Sequence, residues 1–145
     1  MEQRLSMITL GVANLERAVE FYERVVGWKA AESPPGIAFF DLGGIVLSLY
    51  PHADMAKDMK LEPNTSRDAA YQGFALAHNV VSEEEVDAVF LHLKDKGAKI
   101  LKEPEHVFWG GYSGYFSDLD GHSWEVAYNP HWTIKDDGRV SMTKG

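Results

Sequence analysis

There is no cysteine in the 145 residues, so disulfides, thiolate metal ligands and cysteine nucleophiles are excluded. Long apolar runs are missing too. No stretch approaches the roughly 18 residues that a membrane helix needs, so no membrane partner is expected. Basic residues are few: Lys and Arg number 14 against 22 Asp and Glu, a net charge of −8. A nucleic-acid partner would call for a basic face instead. The acidic balance mildly favours a neutral or cationic ligand, and it also serves solubility. Met1-Glu2-Gln3-Arg4 lacks the basic-then-apolar layout of a signal peptide. With the absent cysteine, that suggests a cytoplasmic protein.

What is present first is a repeat, and repeats fix architecture. Asp41-Leu42-Gly43-Gly44-Ile45-Val46-Leu47-Ser48-Leu49 aligns with Asp118-Leu119-Asp120-Gly121-His122-Ser123-Trp124-Glu125-Val126 at an offset of 77. Thr9-Leu10-Gly11-Val12 meets Ala77-His78-Asn79-Val80 at an offset of 68, and one longer loop in the second half explains the difference. Asn14 and Ser82 are equivalent N-caps, each able to accept an orphan backbone N–H, and Glu85 completes a capping-box pattern with Ser82. Ala18, Phe21, Tyr22 and Val25 then match Val86, Val89, Phe90 and Leu93. That i, i+3, i+4, i+7 spacing is one apolar helix face. Gly27 and Gly97 stop the two helices.

Each half therefore predicts a strand, a helix and further strands. In the first half these are Met7 to Val12, a helix from Leu15 to Val26, a strand from Trp28 to Glu32, and a hairpin of Ile37–Leu42 and Ile45–Tyr50 around Gly43-Gly44. The second half predicts Phe74 to Val80, a helix from Glu83 to Lys96, Lys99 to Leu101, a loop at Glu103-Pro104, and a hairpin of Gly114–Ser117 and Ser123–Tyr128. The implied organisation is a first βαβββ module over 1–50, a connection over 51–73, a second module over 74–134 and a charged, loosely held tail over 135–145. The connection carries Pro63, Asn64 and Ser66 and a short helix over 53–61. Its length suits a linker, a lid or both.

A duplicated βαβββ unit with these landmarks resembles the vicinal-oxygen-chelate superfamily of glyoxalases, bleomycin-resistance proteins and extradiol dioxygenases. Two motifs carry the likeness: Leu10-Gly11-Val12-Ala13-Asn14-Leu15-Glu16-Arg17-Ala18-Val19-Glu20-Phe21-Tyr22, and Gly110-Gly111-Tyr112-Ser113-Gly114-Tyr115-Phe116-Ser117-Asp118-Leu119-Asp120-Gly121-His122-Ser123-Trp124-Glu125-Val126. The second is similar to a closing hairpin that relatives write DPDG, with Leu119 here in place of proline. The resemblance covers about residues 5 to 130. It implies an α+β fold of two tandem modules, curved mixed sheets enclosing a cavity with helices outside, and a homodimer.

The resemblance also implies where a divalent metal would be held: one side chain on the first and one on the last strand of each module. Those positions fall at Met7, Ser48, Ala75 and Glu125. Only Glu125 is a ligand type suited to hard divalent cations. No metal centre is expected, and a divalent ion at Glu125 is the residual possibility.

Alternation along strands places Thr9 with Met7, Asn79 with Ala75, Tyr50 with Ser48, and Ser123 with Glu125. Phe108, Trp109, Tyr112, Tyr115 and Trp132 supply an aromatic surround, and small residues with an aromatic rim describe a small-molecule pocket. The candidate substrate-binding residues are therefore Thr9, Ser48, Tyr50, Asn79, Trp109, Tyr112, Tyr115 and Trp132. A carboxylate alone in an apolar cavity holds its proton tightly, which makes Glu125 a candidate general base. It could equally bind a cation under aromatics, or be hydrogen-bonded to Ser48, Thr9 or a tyrosine. Of the histidines, His78 is expected to face the helix, His122 to sit in a turn, His52 at a rim and His92 in solvent. His106 and His131 have no assigned place. The leading expectation is a metal-independent binding protein for a small, partly aromatic or cationic molecule. The alternatives are a lyase, dioxygenase or isomerase acting on a small oxygenated substrate, or a module whose dimer surface matters more than its cavity.

Overall fold

A computed structural model describes residues 1–63 and 71–142. Asn64 and Ser66 of the expected connection, and the last three residues of the expected tail, lie outside them. The chain divides into two compact units, Met1–Ala70 and Tyr71–Gly145.

The first unit contains β1 (Met7–Val12), α1 (Leu15–Phe21), β2 (Ala38–Asp41), β3 (Val46–Pro51) and α2 (His52–Met59). Asn14 caps α1 as the sequence predicts, its Oδ1 accepting from Arg17 N–H at 2.9 Å. The helix then widens into a π-turn over Tyr22–Val26 and ends at Gly27, whose φ of 88° is the left-handed conformation expected there. The sheet order is β1-β3-β2, with β1 parallel and β2 antiparallel to β3. Leu10, Val12, Ala38, Phe40, Leu47 and Leu49 form its buried face. Tyr22 stands 5.7 Å from the Phe40 ring and 5.8 Å from Trp28. Fully burying side chains of this size stabilises by about 1.5–3 kcal/mol each.

The expected strand over 28–32 is absent. Gly27 turns Trp28 into the aromatic cluster, and Pro34-Pro35 supplies no N–H for a ladder. A single bond remains, Ala31 N–H to Phe39 O at 2.8 Å. This sheet thus has three strands, and the helix expected over 53–61 forms as α2.

The second unit contains β4 (Leu76–Val80), α3 (Glu83–Asp95), β5 (Lys99–His106), β6 (Tyr112–Ser117), β7 (Ser123–Tyr128), β8 (Thr133–Ile134) and β9 (Val140–Ser141). Its sheet order is β4-β7-β6-β5, with β4 parallel to β7 and the other pairs antiparallel. This is the first unit's scheme with one strand added. Ser82 caps α3 by accepting from Glu85 N–H at 3.2 Å. The Glu85 carboxylate reaches one residue further back than a capping box requires, to Val81 N–H at 3.3 Å. Val86, Phe90 and Leu93 bury the helix on the sheet.

Two differences from expectation follow from bulges and turns. β5 continues through Glu103-Pro104, where a loop was expected. Its register against β6 shifts twice, and an edge strand with bulges accommodates proline. Residues 133–141, expected to run into a loose tail, instead form a hairpin around Gly138, with Asp137 Oδ1 accepting from Arg139 N–H at 3.0 Å.

Gly114 lies where Phe90 of α3 and the backbone of β5 come close to β6. A Cβ there would lie 2.6 Å from the Phe90 ring, 2.8 Å from Lys102 O and 2.9 Å from Pro104 N. Two of these atoms are backbone and have little freedom to shift. Gly114→Ala is expected to destabilise the protein by about 1–3 kcal/mol, read as a lower urea midpoint. Gly36→Ala, with open space around it, separates this steric cost from the strain of a positive φ.

Candidate functional site

Pairing register decides which side chains share a face. In the first unit the face away from α1 carries Met7, Thr9 and Gly11 from β1 and Val46, Ser48 and Tyr50 from β3. Thr9 lies directly beside Ser48 and Gly11 beside Tyr50, so three expected site residues are brought together. Ser48 has 0% of its surface exposed, and its Oγ has no hydrogen-bond partner among the described residues. An unsatisfied buried hydroxyl costs about 1–3 kcal/mol. The His52 ring lies against Gly11: a Cβ at Gly11 would fall 2.5 Å from Nδ1. Gly11 therefore provides the space that His52 occupies at the start of α2.

In the second unit the face away from α3 carries Ala77 and Asn79 from β4, Ser113, Tyr115 and Ser117 from β6, and Ser123, Glu125 and Ala127 from β7. Glu125 lies between Ala77 and Tyr115 in register. Tyr115 stands directly opposite Glu125 on the neighbouring strand. Burial first, then the Glu125 charge and hydrogen bonding toward its carboxylate, raise the tyrosine's pKa above its usual value. Glu125 thus has a tyrosine as its cross-strand neighbour, the setting that the third reading, a carboxylate paired with a tyrosine, calls for.

Tyr112 belongs to the opposite face. Its hydroxyl donates to Asp87 of α3 at 2.8 Å, and its ring is 5.0 Å from His106. The expected pocket role is corrected by strand parity, since Tyr112 lies three positions before Tyr115 and an odd step reverses the face. Trp109 sits in the β5–β6 turn and folds back over Gly111, where a Cβ would meet its ring at 1.7 Å. Phe108, at the tip of the same turn, is fully exposed. Asn79 and Trp132 do come together, along a groove of about 290 Å³ at the C-terminal end of β4 and β7.

Three further histidines can be placed. His78 lies on the α3 side, as expected. Desolvation lowers its pKa and the Glu85 charge partly opposes this. His122 lies in the β6–β7 turn as part of a buried pair, Nδ1 to Asp118 Oδ2 at 2.7 Å, while Asp118 Oδ1 accepts from Asp120 and His122 N–H. The four-residue spacing around Gly121 was the available signal for that pair. His106 Nε2 meets Glu83 at 3.0 Å, a contact between distant segments that spacing did not reveal. Among the described residues, no three His, Asp or Glu side chains are grouped to hold a metal. Glu125 has alanine and tyrosine beside it, and Ser48 has threonine and phenylalanine. Neither donor set fits a divalent ion.

Comparison with known proteins agrees with this architecture. The Glyoxalase family, described as the Glyoxalase/Bleomycin resistance protein/Dioxygenase superfamily, matches residues 4–126. A metallothiol transferase FosB from Shouchella clausii (strain KSM-K16) is 30% identical over 127 residues, covering 87% of this chain and 80% of that protein. The enzyme of the same name from Staphylococcus epidermidis is 28% identical over 126 residues, covering 87% and 84%. The crystal structure of a glyoxalase-related enzyme from Fulvimarina pelagi superposes with a TM-score of 0.87 at 34% identity, covering 98% of this chain and 99% of that one. With its repeated strand order and its closing Asp118–Gly121 turn, this chain belongs to the glyoxalase/bleomycin resistance protein/dioxygenase superfamily.

Proposed function

We propose that this protein is a small-molecule-binding member of the superfamily that works without the superfamily's metal centre. It would act in the cytoplasm as a homodimer. The observation that carries the reading is the donor set at the four ligand positions implied by the resemblance. Met7, Ser48 and Ala75 contribute no strong donor for a hard divalent ion, and Glu125 stands opposite Tyr115 on the adjacent strand. The related transferases are named for metallothiol chemistry, and nothing at these positions supports carrying that chemistry over. What the faces offer instead is hydrogen bonding: the orphan Ser48 hydroxyl in one unit and the Glu125 carboxylate in the other. Both suit a ligand with a polar or cationic group.

A second reading rests on the Tyr115–Glu125 contact. A carboxylate with a phenol beside it can take a proton from carbon next to a carbonyl while the phenol donates a hydrogen bond. That describes a metal-free isomerase.

Elemental analysis of protein purified without chelators is expected to find no stoichiometric zinc, nickel, manganese or iron, and added ions are expected to leave Tm unchanged. One equivalent of tightly held metal would sink the binding-protein reading. For the isomerase, Glu125→Gln is expected to slow deuterium exchange at the carbon beside the hydroxyacetone carbonyl by about 10²–10⁴-fold. An exchange rate equal to that of the unaltered protein excludes that reading. The raised pKa of Tyr115 sets a pH dependence. A group whose pKa is raised on folding contributes stability that is complete below its unfolded value, about 10 for tyrosine, and is lost as pH rises through the folded value. Above about pH 10 the native protein is therefore expected to lose stability faster than Tyr115→Phe, as read by denaturant titrations across that range.

A further inference from the structure

The groove at the C-terminal end of β4 and β7 differs in character from the surroundings of Glu125, although Asn79 projects from the same face of the sheet. It lies within the second unit, bounded by Asn79 and Tyr128 at the strand ends, Asn129 and Trp132 in the turn that follows, and Thr133 and Val140 on the β8–β9 hairpin. Every residue around it is uncharged, although 25% of the chain is charged. Glu125 does not line it.

The groove is built rather than incidental. Trp132 N–H donates to Asn129 O at 3.2 Å, and Asn129 Oδ1 accepts from His131 N–H at 2.9 Å. These bonds fix the turn that presents the tryptophan. Beyond it, Lys135 N–H to Arg139 O at 2.9 Å and Gly138 N–H to Lys135 O at 2.8 Å hold the hairpin closed. Trp132 remains 39% exposed, so its indole has surface available to a ligand. With the Asn129 oxygen engaged, its amide nitrogen is left to donate, while Asn79 brings both a donor and an acceptor.

We propose that this groove binds an uncharged carboxamide carried on an aromatic or heteroaromatic ring. A flat ring packs against indole in offset or edge geometry. A primary carboxamide has one acceptor and two donors, the complement of what two asparagine side chains present. The volume is at the small end for ligand sites, of the order of 300 Å³, which suits one ring. A carboxylate of the same shape would lose hydration with no cation in the groove to compensate.

The test uses matched probes on the full-length protein: benzamide against benzoate, and nicotinamide against nicotinate. Binding is read by NMR at the indole N–H of Trp132, assigned through its loss in Trp132→Phe, and at the Asn79 and Asn129 side-chain amides. The amides are expected to shift these resonances saturably, and the acids to bind about tenfold or more weakly for want of a cation. Asn79→Ala and Trp132→Ala are expected to weaken amide binding, with the remaining spectrum reporting an intact fold. Glu125→Gln is expected to leave it unchanged, which separates this site from the one proposed above. The inference is overturned if neither amide shifts the Trp132 signal, if the acids bind as tightly as the amides, or if binding persists unaltered in Trp132→Ala.

Discussion

Parallel pairing of the first strand of each unit with the last strand of its main sheet, β1 with β3 and β4 with β7, is the constraint on which the rest depends. A parallel neighbour cannot be reached by a tight turn, so each unit must send its chain across one face of the sheet before returning. The crossing segment is a capped helix in both cases, α1 behind Asn14 and α3 behind Ser82. Once the helix covers one face, the apolar residues of every strand must point to it. The alternate residues are then released for other uses. Leu47 and Leu49 face the helix of the first unit while Ser48 between them does not; Trp124 and Val126 do the same around Glu125.

The same constraint explains why the two units keep a common frame and differ in chemistry. The helix-facing positions are held by packing, because changing the volume of a close-packed core costs stability directly. The alternate positions carry no such demand. Thr9 and Ser48 stand where Ala77 and Glu125 stand in the second unit. The strand order allows either pair.

Much of the fold was legible because its signals are local. The N-caps, the i, i+4 stripe ending in Phe21-Tyr22, and the Gly-centred turns each announce themselves within a few residues. The second closing strand, Ser123–Tyr128, matches its expected bounds. The failures come from long-range competition. Residues 28–32 have strand composition, but Trp28 packs with Tyr22 and Phe40, and the prolines beyond remove ladder donors. Pro104 signals a loop and yet lies in an edge strand, because bulges relieve it. The β8–β9 hairpin follows a polar stretch with weak alternation, and two-residue strands leave little pattern in a sequence.

The candidate site divides in the same way. The sequence by itself determined that Met7, Ser48 and Ala75 occupy the positions where the resemblance places metal ligands, since identity at a position needs no geometry. It also determined which residues alternate together along each strand, because that period is a property of the backbone. Only the tertiary structure decided that Tyr115 stands opposite Glu125 while Tyr112 turns to Asp87, that Ser48 is buried with no hydrogen-bond partner among the described residues, and that Asn79 and Trp132 share an uncharged groove. These depend on how strands are registered and how distant turns close. Such contacts form between residues far apart in the chain, where no local periodicity records them.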